Sequence, residues 1–296
     1  ELLWVRLLAY ARQPAFRVDL RSAFGRFWNA DYDLDAAQAL DLALLQPFLE
    51  WYVQDYRTSK DRQRIIDLFV AEEGPRLGDE LRAALTEREV AYLSLFGVEQ
   101  VDPEGHLEVG DLLAGGFYRL EDAGLARLAM PGDLLLGRRL GDESSGRLSR
   151  GTVLLPATLA HLLTGAAKRA FGAYRDEHYQ TTWPEFLREA GYVMYHCLTS
   201  PEAAEAYERA PHPERYYDPR AAVEEMRAIM RRLAEEEARK QEEEEARRLE
   251  ELGETPATPP VERTPGGILV PAQPKPAPQS EGRILLPEHL RKPSAG

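Results

Sequence analysis

The best candidate nucleophile in this chain is Cys197, its only cysteine. A catalytic thiol needs a general base that faces it. The neighbouring His196 is badly placed for that role, because adjacent positions on a helix point about 100° apart. We therefore interpret Cys197 as a small apolar core residue. A lone cysteine also excludes a disulfide framework and any cysteine-based zinc cluster.

Potential metal ligands are concentrated between residues 176 and 196. The best donors are Asp176, Glu177, His178 and His196. The two histidines are eighteen residues apart on separate predicted helices, which is not a typical spacing of zinc ligands. The sequence therefore predicts no metal site.

The middle of the chain gives no catalytic motif. Gly115 and Gly116 do not lead into a helix with the lysine and hydroxyl residue of a phosphate-binding loop. Four aspartates fall at predicted turns, where aspartate is expected for turn chemistry alone; they are Asp102, Asp111, Asp122 and Asp133. We predict neither enzymatic activity nor a cofactor.

Arginines in the middle region raise a nucleic-acid-binding hypothesis. The formal net charge of −13, from 50 acidic and 37 basic residues, argues against a broad nucleic-acid footprint but allows a local basic face. Small barrels bind single strands through aromatic and basic side chains. The candidate residues are Tyr118, Arg119, Arg138 and Arg139. Arg138 and Arg139 point to opposite sides of a predicted strand, as do Phe117 and Tyr118, so fewer of them converge than the list suggests.

The last 44 residues contain ten of the 21 prolines and no apolar periodicity, which predicts a disordered, proline-rich tail. Two segments in it, 266–271 and 282–287, share the pattern Gly-x-Ile-Leu-aliphatic-Pro. Such segments can add a strand to a partner's sheet or anchor in a groove, and two copies add avidity. The predicted protein-binding residues are Ile268, Leu269, Val270, Ile284, Leu285 and Leu286. The alternative is that the repeated pattern arises by chance in a low-complexity sequence and has no binding function.

The hydrophobic pattern predicts an α+β fold that carries these residues. Apolar residues recur at helical spacing over 1–89 and 157–217, and five short runs bounded by turns occupy 90–156. We predict two helical regions flanking a small five-stranded β-barrel of SH3-like or OB-like type. A long charged helix over 218–252 and the tail over 253–296 complete the chain.

Several boundaries follow from local signals. Pro47 should kink or split the helix that contains it, and Thr58–Asp61 should begin the next helix. Residues 147–155 are predicted as one strand. Four Glu-first pairs spaced i,i+4 should support the long helix without a core beyond Ala234; they are Glu235–Arg239, Glu236–Lys240, Glu243–Arg247 and Glu244–Arg248.

The aromatic helix segment 48–57, the apolar run 65–69, the segment 92–98 and the stretch 127–138 resemble a group of uncharacterised bacterial proteins. Those proteins often end in a SEC-C motif, the short zinc-binding element also found at the carboxyl terminus of SecA. The resemblance covers about residues 45–155. Because Cys197 is the only cysteine, the zinc ligands of that motif and the partners that go with it do not carry over.

No run approaches the ~20 apolar residues of a membrane span, and Arg6 interrupts the opening apolar stretch, so it does not read as a signal peptide. We expect a cytoplasmic protein that does not associate with membranes. The sequence favours a non-catalytic adaptor that binds an unidentified protein partner through its tail. The alternative is a nucleic-acid-binding protein that uses the barrel.

Overall fold

The structure is a computed structural model, and it describes residues 2–29, 42–141, 146–251, 261–263 and 269–271. The chain divides into one unit from Glu1 to Glu235 and a second from Glu236 to Gly296. Among the described residues, no helix combines the length and the apolar character needed to cross a bilayer.

Along the chain, a first group of helices is followed by the strands of the barrel and then by a second group of helices. The helices are α1 (Leu2–Ala11), α2 (Arg17–Trp28), α3 (Leu42–Gln54), α4 (Ile65–Glu73), α5 (Asp79–Val90), α6 (Ala123–Ala126), α7 (Ala160–Glu177), α8 (Trp183–Ala190), α9 (Val193–Leu198), α10 (Pro201–Glu208) and α11 (Pro219–Glu251). The strands are β1 (Leu93–Val101), β2 (His106–Asp111), β3 (Phe117–Glu121), β4 (Leu134–Gly141), β5 (Gly146–Leu148), β6 (Val153–Leu155), β7 (Val261–Arg263) and β8 (Leu269–Pro271).

Five strands close into a barrel. β1 pairs with both β2 and β4, and the ring closes because β3 lies parallel to β5, with Leu120 opposite Gly146. The cyclic order is thus β1-β2-β3-β5-β4, and β6 extends the sheet beside β4. This order, the parallel closing pair and the helix between β3 and β4 are the arrangement of an OB-like Greek-key barrel. The predicted α+β fold with a closed five-stranded barrel is confirmed.

The barrel turns follow the sequence closely, with one exception. Gly132 has φ +93°, as the predicted turn before β4 requires. The predicted single strand over 147–155 is wrong, because the structure forms β5 and β6 with a turn between them. In that turn the Thr152 amide donates to the Ser149 carbonyl at 3.1 Å.

Two helix predictions also need correction. Thr58 begins a tight loop instead of a helix, because its amide donates to the Gln63 carbonyl at 2.9 Å, and α4 starts only at Ile65. Pro47 does not split α3, which runs unbroken from Leu42 to Gln54. The proline has no amide hydrogen, so the helix forms one intrahelical hydrogen bond fewer at this position but continues past it.

The helices before and after the barrel share one aromatic core. The Phe27 ring lies 5.5 Å from that of Trp51 and 4.8 Å from that of Tyr195, centroid to centroid. Helix α8 begins with the predicted capping box of Thr182 and Glu185. The predicted regions 1–89, 90–156 and 157–217 therefore belong to a single compact unit.

The two ends of α11 differ in burial. Its first turns bury Ala222, Val223, Met226 and Ile229. Residues 231–248 are exposed on every side, as expected for a helix that lacks an apolar stripe. The ion pair recorded on this stretch runs from Arg239 to Glu243 at 3.7 Å, which is the opposite order to the predicted Glu-first pairs.

Candidate functional site

Arg138 lies on β4 and faces the helices, where it is 1% exposed. Its guanidinium forms an ion pair with Asp55, which follows α3, and Nη1 lies 3.3 Å from Glu50 Oε2. Because the side chain is enclosed, it cannot touch a nucleic acid. The prediction that Arg138 belongs to a binding surface is wrong.

Glu50 connects Arg138 to two further polar side chains. Ser149 Oγ donates to Glu50 Oε2 at 2.6 Å, and Arg88 Nη1 from α5 lies 3.6 Å from Oε1. Burial raises the pKa of Asp55 to about 6, against the opposing charge of Arg138. Burial also lowers the pKa of Arg88. We call this group, Glu50, Asp55, Arg88, Arg138 and Ser149, the interface cluster, because it joins helices α3 and α5 to the barrel.

The other three nucleic-acid candidates lie apart from the interface cluster. Tyr118 is half-buried, with the Arg139 guanidinium 4.4 Å above its ring. Arg119 is exposed, but its Nη2 donates to Asp102 Oδ2 at 2.8 Å. Phe117, which was not among the candidates, is 82% exposed. Strand alternation already showed that only one of Phe117 and Tyr118 could be exposed, but it did not show which.

The outer face of β1–β3 is acidic. Arg119 lies directly opposite Glu108 in the β2–β3 ladder. The exposed or half-exposed charged and titratable side chains along these strands and their connecting loop are Glu99, Asp102, Glu104, His106, Glu108, Arg119 and Glu121. Five carboxylates against one arginine repel a phosphate backbone.

The loop between β1 and β2 brings three potential metal ligands together. One ligand atom from each of Asp102, Glu104 and His106 lies within 4.8 Å of the others. The Asp102 carboxylate already accepts hydrogen bonds from the backbone amides of Glu104 and His106, at 2.6 and 3.2 Å. This is the geometry of an aspartate-stabilised turn, and we assign no metal to it.

The residues considered for thiol or metal chemistry are engaged elsewhere. Burial raises the pKa of the Cys197 thiol, which disfavours the thiolate that a nucleophile needs. His196 Nε2 lies 2.9 Å from the Arg26 carbonyl, whereas His178 stacks on Tyr174 with ring centroids 4.1 Å apart. The fold thus gives the two histidines separate partners.

A polar groove of about 770 Å³ runs between the α4–α5 region and α8. Three of its arginines contact an acid or the backbone. Arg57 pairs with Glu189, Arg64 lies 2.6 Å from Asp67, and Arg188 donates to the Val90 carbonyl at 2.8 Å. We interpret these contacts as the means by which the two helical regions are held together.

The structure describes only part of the first tail segment, 266–271. Leu269 and Val270 lie in β8, which pairs antiparallel with β7: Glu262 is opposite Val270 and Arg263 is opposite Leu269. Ile268 and the whole second segment, with Ile284, Leu285 and Leu286, lie outside the described residues.

Comparison with protein-family models, curated proteins and solved structures finds no match to this chain. The resemblance to SEC-C-associated bacterial proteins therefore stays a prediction.

Proposed function

We propose that this chain is a non-catalytic interaction protein that binds a protein partner through the segments 266–271 and 282–287. The observation that carries the proposal is the strand pairing of Leu269–Pro271 with Val261–Arg263. Two strands alone are marginally stable in water, and each has one edge whose backbone groups lack a strand partner in this pair. A strand from a partner's sheet would satisfy such an edge.

The exposed part of α11 supports the same proposal. Residues 231–248 bury no side chain, so they add little to the stability of the folded unit. A helix that is polar on all sides can bridge two parts of a chain through solvent. This suits a protein whose binding segments lie beyond its globular unit in sequence.

The test is affinity capture from the native cells with nuclease present, using the full chain as bait. The variant carries Leu269→Asp and Leu285→Asp, one in each segment. Its matched control carries Ala272→Asp and Ala277→Asp, which add the same charge to the same tail. We expect the native chain and the control to retain the same partner and the variant to lose it.

Single variants measure the use of both segments. If the two copies act together, Leu269→Asp or Leu285→Asp alone weakens binding by about 10²-fold or more, and the double variant abolishes it. Equal capture by the native chain and the double variant would overturn the proposal.

A nucleic-acid-binding barrel is the second candidate, and the exposure of Phe117 supports it. OB-like barrels bind single strands on the face of β2 and β3, where an aromatic ring can stack on a base. The acidic outer face disfavours it. If this candidate is right, single-stranded oligonucleotides bind with an affinity that falls steeply with salt, and Phe117→Ala costs about 1–3 kcal/mol. Under the adaptor proposal, neither effect is observed.

A further inference from the structure

The outer face of β1–β3 presents an aromatic ring to solvent. Phe117 is 82% exposed, although it is flanked by strand residues. Its ring lies over Gly110 of the paired strand, since a Cβ at Gly110 would lie 3.2 Å from Phe117 Cε1. An aromatic ring commonly covers a glycine on a neighbouring strand in this way. Only one edge of the ring is used, so its faces remain open to a partner.

A carboxylate lies beside this ring. The same Cβ position at Gly110 is 3.6 Å from Glu99 Oε1, so the carboxylate and the Phe117 ring flank one glycine on the same side of the sheet. Glu99 is the residue that the register of β1 with β2 skips, and its side chain is exposed. An arginine guanidinium can stack on an aromatic face and pair with a carboxylate at the same time.

The residues of this face form rows across the three strands. The first two rows are Gly97, Gly110 and Phe117, then Gln100, Glu108 and Arg119. The Arg119 guanidinium donates to Asp102 Oδ2 at 2.8 Å, so its charge is already balanced. The carboxylates of this face that form no ion pair with a described residue are Glu99, Glu104, Glu108 and Glu121. The unbalanced charge of the face is therefore negative.

We propose that the outer face of β1–β3 binds an arginine-rich segment of a protein partner in an extended conformation. One guanidinium stacks on Phe117 and pairs with Glu99, and the basic side chain two residues away pairs with Glu108. The spacing fits, because alternate residues lie about 7 Å apart both along these strands and along an extended peptide. The negative face attracts a cationic segment and disfavours wrong partners of like charge. None of the tail residues takes part, so this proposal and the proposed function fail separately.

The test is a titration of the ¹⁵N-labelled full chain at low ionic strength with the peptide acetyl-Arg-Ser-Arg-Ser-Arg-amide, followed by the amide signals of Gly97, Gly110 and Phe117. The control peptide, acetyl-Arg-Arg-Arg-Ser-Ser-amide, has the same composition and charge but adjacent arginines. We expect saturable shifts with the first peptide and about 2–5-fold weaker binding of the second, which loses a charge pair. Shifts confined to the glutamate-rich part of α11 would overturn the proposal.

Variants at exposed positions locate the contact without disturbing the core. Phe117→Leu removes the π face and should weaken binding about 2–5-fold, whereas Phe117→Tyr keeps the ring and should bind as the native chain does. Glu99→Gln combined with Glu108→Gln should weaken binding about fivefold or more. The matched control, Glu236→Gln with Glu237→Gln, removes the same charge from α11 and should bind normally. Native affinity in both Phe117→Leu and the Glu99 and Glu108 double variant would contradict the assignment.

Two other occupants of this face give different results. If single-stranded oligothymidine shifts the Phe117 amide signal and the arginine peptide does not, the face binds nucleic acid and the proposal is wrong. If the native chain sediments as a dimer and Phe117→Leu as a monomer, the face is occupied by a second copy of the chain, which also excludes the proposal.

Discussion

The interface cluster and the end of β2 at Asp111 both bury carboxylates, yet they balance the charge differently. Glu50 and Asp55 are paired with Arg138, and Arg88 lies 3.6 Å from Glu50. Asp111 Oδ1 accepts hydrogen bonds only from neutral donors, and Asp111 Oδ2 accepts none from the described residues. The difference lies in the counter-charge, because both groups contain a buried carboxylate oxygen without a hydrogen bond from the described residues. The acids of the interface cluster face arginines and join the helices to the barrel, whereas Asp111 stabilises its own turn through neutral donors.

The two adjacent arginines of β4, Arg138 and Arg139, have different surroundings. Arg138 and Arg139 point to opposite sides of the strand, as alternation requires. Arg138 faces the helices and neutralises their acids. The Arg139 guanidinium lies over the ring of Tyr118.

Removal of Arg138 is the largest expected perturbation. Arg138→Met leaves Glu50 and Asp55 buried without their main counter-charge, and breaking a buried pair on one side costs about 3–5 kcal/mol. Urea unfolding at pH 7 measures the loss. Arg119→Met, at an exposed pair, should cost less than about 1 kcal/mol. A similar small loss for both variants would contradict the structural role of the cluster.

The pH dependence of stability reports the same cluster. Burial raises the pKa of Asp55 from 3.8 to about 6, so between these values the folded protein binds more protons than the unfolded chain. Stability therefore falls as pH rises from about 4 to 6, by roughly 2–3 kcal/mol for this residue at 1.36 kcal/mol per unit. Urea unfolding of the native protein and Asp55→Asn across this range isolates the contribution. Parallel curves for the two proteins would contradict it.

Gly151 tests how closely the cluster is packed. A Cβ at this position would lie 2.5 Å from Glu50 Oε2 and 3.1 Å from Glu50 Cβ. Gly151→Ala should therefore displace the carboxylate and cost about 1–3 kcal/mol. Gly172→Ala is the matched control, since nothing lies within 4 Å of its added Cβ. In the interior of α7 this change should stabilise by roughly 0.5–1 kcal/mol, as measured by thermal or urea unfolding.

Asp111→Asn should have the smallest effect on stability. The asparagine Oδ1 can keep the three hydrogen bonds of the turn, and the unpaired charge is removed. We expect the free energy of unfolding to change by less than about 1 kcal/mol. A loss as large as that of Arg138→Met would show that the Asp111 charge is needed for folding, and the two sites would then be alike.

The periodic parts of the fold could be predicted from the sequence because each signal is local. The Thr182 capping box and the turn at Gly132 need only neighbouring residues, and both occur as expected. The buried face of α11 ends at Ile229, one turn before Ala234, where the sequence predicts its end. The start of α4 could not be predicted at Thr58, because the hydrogen bond between Thr58 and Gln63 favours a loop over the helix start.

The sites were harder to predict because they depend on distant partners. Arg138 follows an apolar run and has the pattern of an exposed strand residue, but Glu50 and Asp55 reach it from 88 and 83 residues away. Asp111 was correctly expected at a turn, as its bonds to Leu113 and Ala114 show. Nothing in the sequence distinguishes its second oxygen from that of Asp122.

The sequence separation within the interface cluster affects synthesis on the ribosome. Asp55 is made 83 residues before Arg138, which at about 5–20 residues per second is an interval of roughly 4–17 s. During that time Glu50 in α3 and Asp55 just after it lack the arginine that neutralises them. The N-terminal helices therefore complete their packing only after β4 has emerged, and the nascent chain must keep its aromatic surface from aggregating until then.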